Sequence, residues 1–552
     1  MLDHLDLDQT LLDGDRSVPE APSDFAACLN AHGTYSTIHF VVRLSPRVHQ
    51  LVDAARKGIY RSDDLDGETV QAYSTYLHET IHWWQHMGST AGLILSLGYP
   101  AQAHQNGERL EEFLRHVGPK KSIMRWAEMA LRAGDTSPGL FAANVAVNNA
   151  IDIEFYKVIA LNPSRAALIE VMHHRYFESV GHSYWMAYGN ALALLVATVD
   201  PDEKHFANVL AWDEAFRRVR EAKIEGWVHG EPVRMPRLGL HALFEGQARM
   251  IQLQYLSFGV AHPPSVEELR RQRYFADPYG SAFELFLKET SASWPKTIDD
   301  PVVGLFLLIV DLAINPTAGF PLDIESFENF ILDVDPGVRF LRFCQATARR
   351  PELLSAIKHY SRKEYMSVAG ILAEACGYDH PGLALSVVKV WAENAEGVAQ
   401  ILKEKETFDF EPANIVMRVL FSYFVSFSID KLEHPEFFCW TGAWMAGERV
   451  GETSQRLFRR YLSLYTDSAD GNEIYPRRVP GVDEKALSRT LNIFYGNIVH
   501  YDLVRQWIVR DGPFSYKFEW LSDRHSNESI ATWASAVFKN TFGVHLNEFE
   551  IV

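Results

Sequence analysis

The chain has 552 residues, 47% of them hydrophobic and 22% charged, the balance of a soluble globular protein with ample material for a large core. With 53 basic against 71 acidic residues the formal net charge is −18, which disfavours nucleic acid and anionic membrane surfaces as partners. Four scattered cysteines, Cys28, Cys344, Cys376 and Cys439, form no C-x-x-C pair and fit buried thiols in a reducing compartment better than a disulfide framework.

Residues 1–35 read as an acidic, proline-bearing arm. Its start, MLDHLDLDQTLLDGDR, has no basic segment followed by an apolar one, so no signal peptide is expected. The stretch rich in β-branched residues from Ser36 to Ser45 (STIHFVVRLS) is the strand candidate, and Pro46 then opens a helix that stops at Gly58. The next helix is capped by Asp64 or Asp66, with Glu68 in its first turn. At about 100° per residue, Val70, Tyr73, Leu77, Ile81 and Trp84 form an apolar stripe. His78, Glu79, His82, Gln85 and His86 occupy a different arc.

Helical patterns continue over Glu108 to Val117, Ser122 to Ala133, Phe141 to Leu161, Arg165 to Glu178 and Tyr184 to Thr198. Further ones cover Leu238 to Leu256, Val266 to Ala276 and Val302 to Ile314. The last is the longest apolar stretch; it is interrupted by Asp311 and is too short to span a bilayer, so a cytoplasmic protein without a membrane partner is expected. Breaks fall at Ser293 to Pro301, Phe408 to Asn414 and Thr466 to Gly481. The expected organisation is the arm at 1–35, a core at 36–290 that carries the chemistry, a helical region at 291–410 and a C-terminal helical region at 411–552. The helical remainder would shape substrate access or receive a regulatory protein partner. The three short arginine clusters, at 270–273, 349–350 and 456–460, read as solvated helix faces.

The run HETIH, His78 to His82, is an H-E-x-x-H motif. On a helix, positions i and i+4 share a face, so the two imidazoles can bind one metal ion while Glu79 stands beside the open coordination position. A zinc site of this kind needs a third protein ligand. Glu245, in the helical segment GLHALFEGQARMIQLQYL, is the best candidate. Gly246 beside it costs a helix about 1 kcal/mol relative to alanine, which suggests close approach of another element.

HETIH followed much later by LFEGQAR resembles the gluzincin pattern of zinc metallopeptidases, in which a glutamate on a downstream helix completes H-E-x-x-H. The H-x-x-Q continuation from His82 to Gln85 is similar too. The resemblance implies a mainly α protein: a zincin-like metallopeptidase core, preceded by a short N-terminal β element and followed by the large helical C-terminal region. It also implies Zn2+ held by His78, His82 and Glu245, Glu79 as general base, and a protein or peptide substrate. Two departures stand out. The spacing to Glu245 is long, so a helical insertion would separate the ligand helices. Arg249 stands four residues after Glu245, where thermolysin-like members carry an aspartate that orients a ligand histidine; that role would pass to Asp152 or Glu154. Besides the metal, a developing oxyanion needs a donor, and His182, Tyr184 or Tyr188 in GHSYWMAYG could supply it. His86 continues the i+4 series, with a structural role favoured.

Two alternatives remain open. Glu79 with His82 and Glu170 with His173 are both E-x-x-H pairs, the units of carboxylate-bridged di-iron sites in helical bundles, with Glu154 or Glu245 contributing. A catalytically inactive, metal-stabilised interaction protein is the third reading.

Overall fold

The computed structural model describes residues 2–5, 7, 11, 33–36, 39–56, 66–224, 227–228, 231–232, 235–469, 471–518 and 525–552. Most of the acidic arm, Cys28 and the alternative cap Asp64 lie outside them. Within them the chain is mainly helical, as the periodicities predict. No described helix is long and apolar enough to cross a membrane.

The segment read as one strand over 36–45 contains parts of two. Gly33–Ser36 pairs antiparallel with Val41–Leu44, Gly33 opposite Leu44. The polar run from Thr466 to Gly481, expected as a break, holds a second hairpin. Tyr465–Ser468 lies parallel to Val41–Leu44 and antiparallel to Gly471–Pro476, so that the two hairpins share one four-stranded sheet. Part of the signal was present in the sequence: Ile474 and Tyr475 favour a strand.

After the helix Pro46–Arg56, the motif helix runs from Gly67 to Gly88. The Asp66 carboxylate caps it, accepting a hydrogen bond from the Thr69 backbone N–H at 2.7 Å. Glu68 complements the positive helix end. Ser89 ends this helix and caps the next, Thr90–Val117, by accepting from Gly92 N–H at 3.0 Å. The apolar stripe of the motif helix is buried as expected. The polar arc is buried as well except for His82, which is partly exposed, because the helix is packed on every side. The sheet and Pro46–Arg56 lie against it, Leu240–Phe258 crosses it, and Ile415–Glu433 packs from the C-terminal part of the chain.

Trp84 shows how the parts join. Its indole N–H donates to the Tyr461 carbonyl at 2.7 Å, and its ring meets Phe427, Phe437, Phe438 and Phe458. Residues beyond 410 thus supply the floor on which the motif helix rests. One hydrophobic cluster runs without interruption from Leu5 to Phe549.

Candidate metal centre

Three donor atoms converge where the motif helix meets Leu240–Phe258. His78 Nε2 and His82 Nε2 are 3.1 Å apart, and Glu245 Oε2 lies 3.4 Å from each. Four-coordinate bonds of about 2.0–2.2 Å give donor–donor edges of about 3.3–3.6 Å, so this triangle has the size that one small divalent cation requires. Among the described residues it is the one group of three or more potential ligands.

The chemistry of the donors agrees. Glu245 Oε2 is buried and accepts no hydrogen bond from the described residues. The His82 ring is fixed by Gln85, whose Oε1 lies 2.8 Å from Nδ1. An amide oxygen only accepts, so Nδ1 carries the proton and Nε2 presents its lone pair to the triangle. The His82 lone pair, His78 Nε2 3.1 Å from it and the carboxylate together form a pocket for a cation. In the absence of a cation a proton bridges this group. Burial works against it, yet the attraction of Glu245 and then Glu79 pushes His82 up to about 9. Burial instead pulls His78 down to about 4. Against its own burial, Glu245 is held well below the usual carboxylate range, first by His82 and then by His78.

Gln85 also ties the two helices together. Its amide N–H groups donate to the Phe244 carbonyl and to Gln247 Oε1, both at 2.9 Å. The close approach implied by Gly246 is present: a Cβ there would lie 3.3 Å from Ala282 Cβ and 3.4 Å from Phe306 Cζ. The first hairpin covers Glu79. A Cβ on Gly33 would lie 2.7 Å from Glu79 Cγ and 2.8 Å from its Oε1, so glycine permits the strand to pass directly over this carboxylate.

Other predicted residues have partners of their own. His182 Nε2 lies 3.2 Å from the fully buried Asp152 and 3.5 Å from Glu178. Tyr184 donates its hydroxyl hydrogen to Asp335, and the Tyr188 ring packs on Phe330. Their helix, Val180–Val199, rests on Thr90–Val117 and Pro138–Leu161. Asp152 is engaged by His182, Ser183 and Asn148, and Glu154 by Arg505 at 2.9 Å, so neither orients a triangle histidine. Gln85 does so for His82. Glu170 and His173 are exposed, with His173 Nδ1 bonded to the Ile169 carbonyl at 2.8 Å. The second half of a paired E-x-x-H site is therefore not assembled among the described residues. His86 is buried between Phe244 and Tyr35, with ring centroids 5.2 and 5.3 Å away, and burial pulls it down to about 3; it packs as a neutral ring.

Two nearby residues had no role in the sequence reading. Tyr279 meets the His78 ring edge to face at 5.8 Å. It sits in a D-P-Y-G turn, where no periodicity points to a site. Arg249, noted only as a departure, stacks its guanidinium on Tyr279, 3.8 Å from the ring centroid. No protein-family model matches the chain, and neither a curated protein nor a solved structure matches it.

Proposed function

We propose that this chain is a zinc-dependent hydrolase, a peptidase of gluzincin type, with His78, His82 and Glu245 as metal ligands and Glu79 as general base. The observation that carries this reading is the triangle itself: two imidazoles one helical turn apart and a carboxylate from a helix far along the chain, with edges of 3.1–3.4 Å. Two imidazoles and a carboxylate are also the donor set of catalytic zinc sites that keep a fourth position for water. Zinc bound there would lower the pKa of a water towards about 7 and polarise a carbonyl. Glu79, adjacent to His78 and buried beneath the hairpin, would take the proton from that water and return it to the leaving amine. Gln85 keeps the His82 lone pair aimed at the ion, and the hairpin restricts entry of bulk water. The three described cysteines are free and buried, which supports a reducing, cytoplasmic setting.

Elemental analysis of the purified protein should give one zinc per chain. Glu79→Gln should retain that zinc and lose activity on peptides by about 100- to 10,000-fold, whereas His82→Ala should lose the metal. Two irons per chain, or full activity in Glu79→Gln, would overturn the assignment.

A further inference from the structure

The longest apolar stretch of the chain folds as the buried helix Pro301–Ile314, and the aspartate that interrupts it has no part in the site described above. Asp311 lies where that helix meets the motif helix, the glutamate helix and Ile415–Glu433. Three donors hold its carboxylate: Lys431 Nζ at 2.5 Å, the Tyr365 hydroxyl at 2.8 Å and Asn315 Nδ2 at 3.4 Å. Asp311 and Lys431 are each 4% exposed. Taking two charges out of water costs several kcal/mol that their attraction only partly returns, and an apolar pair of like volume often holds a core as well. Cohesion alone does not require these charges.

Two small cavities flank the pair. One, of about 20 Å³, is bordered by Asp311, Lys431, Tyr365, Ser428 and Thr90. The other, of about 30 Å³, reaches from the pair to the amides behind His82; its polar lining is Gln85, Ser89, Gln247, Asp311, Asn315 and Lys431. A polar cavity of that size has room for one or two waters. Gln247 is 5% exposed. Its Oε1 accepts from Gln85 Nε2 at 2.9 Å, and its Nε2 has no hydrogen-bond partner among the described residues. A water in the cavity can accept from Gln247 Nε2 and from Lys431, and donate to the Asp311 carboxylate, which only accepts. The carboxylate then sets the direction of the whole chain. Gln247 turns its nitrogen to the cavity and its oxygen to Gln85, and Gln85 turns its own oxygen to His82 Nδ1.

We propose that Asp311 and Lys431 are positioning residues of the metal centre, which act through cavity water and the amides of Gln247 and Gln85 to fix the nitrogen that His82 presents to the metal. Asp311 supplies the acceptor that orients the chain, and Lys431 balances its charge and holds it in place. This assignment rests on the ligand set of the hydrolase reading above and deepens it.

Zinc affinity of the full-length protein, measured against a chromogenic chelator, tests the proposal. Asp311→Leu combined with Lys431→Met removes both charges at once and strands neither. The double variant should bind zinc about three- to tenfold more weakly, a smaller loss than that of a direct partner of the ligand. In a Gln85→Ala background the relay is already cut, so the same two substitutions should change the affinity by less than about twofold. A merely structural role would give equal losses in both backgrounds. That result, or an affinity unchanged by the double substitution, overturns the inference and leaves the hydrolase reading standing. If the double variant does not fold, a crystal structure of the zinc-loaded wild type at atomic resolution decides. Water bonded to both Gln247 Nε2 and Asp311 is expected, and a dry cavity overturns the inference. A wild-type protein that binds no zinc sinks both readings.

Discussion

Gln85 decides which nitrogen of His82 carries its proton. Its amide is oriented by two acceptors, the Phe244 carbonyl and Gln247 Oε1, so its oxygen must face His82 Nδ1. Supports of this kind sharpen metal affinity by holding ring orientation and tautomer. Gln85→Ala should therefore weaken zinc binding by about 10- to 100-fold in competition with a chromogenic chelator, with helical circular dichroism unchanged. An undiminished affinity would remove Gln85 from the ligand's support. At this scale the sequence carries whatever depends on spacing along one helix. His78, Glu79 and His82 are legible because i and i+4 must share a face. What a side chain does across a helix interface is not. Asp152 and Glu154 were plausible orienting groups by residue type alone, yet their carboxylates belong to His182 and Arg505, on helices that only the fold brings near. The histidine and tyrosines of GHSYWMAYG have the right chemistry and other partners, Asp152 for His182 and Asp335 for Tyr184.

For Glu245 to reach the imidazoles its helix must be held in place, and a glycine lets a neighbouring element seat directly against it. Gly442, in the short helix Thr441–Trp444, lies so close to the glutamate helix that a Cβ would fall 2.0 Å from the Ile251 carbonyl oxygen and 2.8 Å from Gln254 Cβ. A backbone carbonyl cannot rotate aside, so Gly442→Ala must displace one of the two helices. The expected cost is about 1–3 kcal/mol, seen as a lower urea midpoint, and weaker zinc binding beside it would identify the Glu245 helix as the one displaced. A midpoint equal to wild type would show that the crossing is looser than the structure implies. The individual helices were legible, since each repeats its apolar residues at the helical period and many carry side-chain caps such as Asp66 and Ser89. The crossing was not, because Gly442 lies almost two hundred residues from Glu245 and nothing local marks it. The same holds for the sheet. Val41 pairs with Tyr465, and a polar run that looks like a linker becomes the strands that close the sheet beside Glu79.

Over the whole molecule, partly buried lysines among the packed helices make stability depend on pH in a predictable direction. Lys405 donates to Ser426 Oγ at 3.0 Å and lies over the Tyr423 ring at 4.5 Å. Burial, and after it the nearby Arg460, pulls its ammonium down to about 7. In the unfolded chain an ordinary lysine titrates near 10.4. Between these two values the unfolded chain binds a proton that the folded chain does not, so this group adds stability as pH rises through the window. The slope has an upper limit of about 1.4 kcal/mol per pH unit, less as far as solvent reaches the side chain. His82 acts in the opposite sense in the metal-free protein, since its folded value is raised. A difference between two chains that share His82 cancels that contribution. Lys405→Met should therefore be compared with wild type by urea unfolding at pH 7, 8 and 9. The stability of wild type relative to the variant should increase across the series, whatever the sign of the difference at pH 7. Curves that stay parallel would mean that Lys405 keeps its ammonium in the folded protein, and that the packing around Tyr423 admits water.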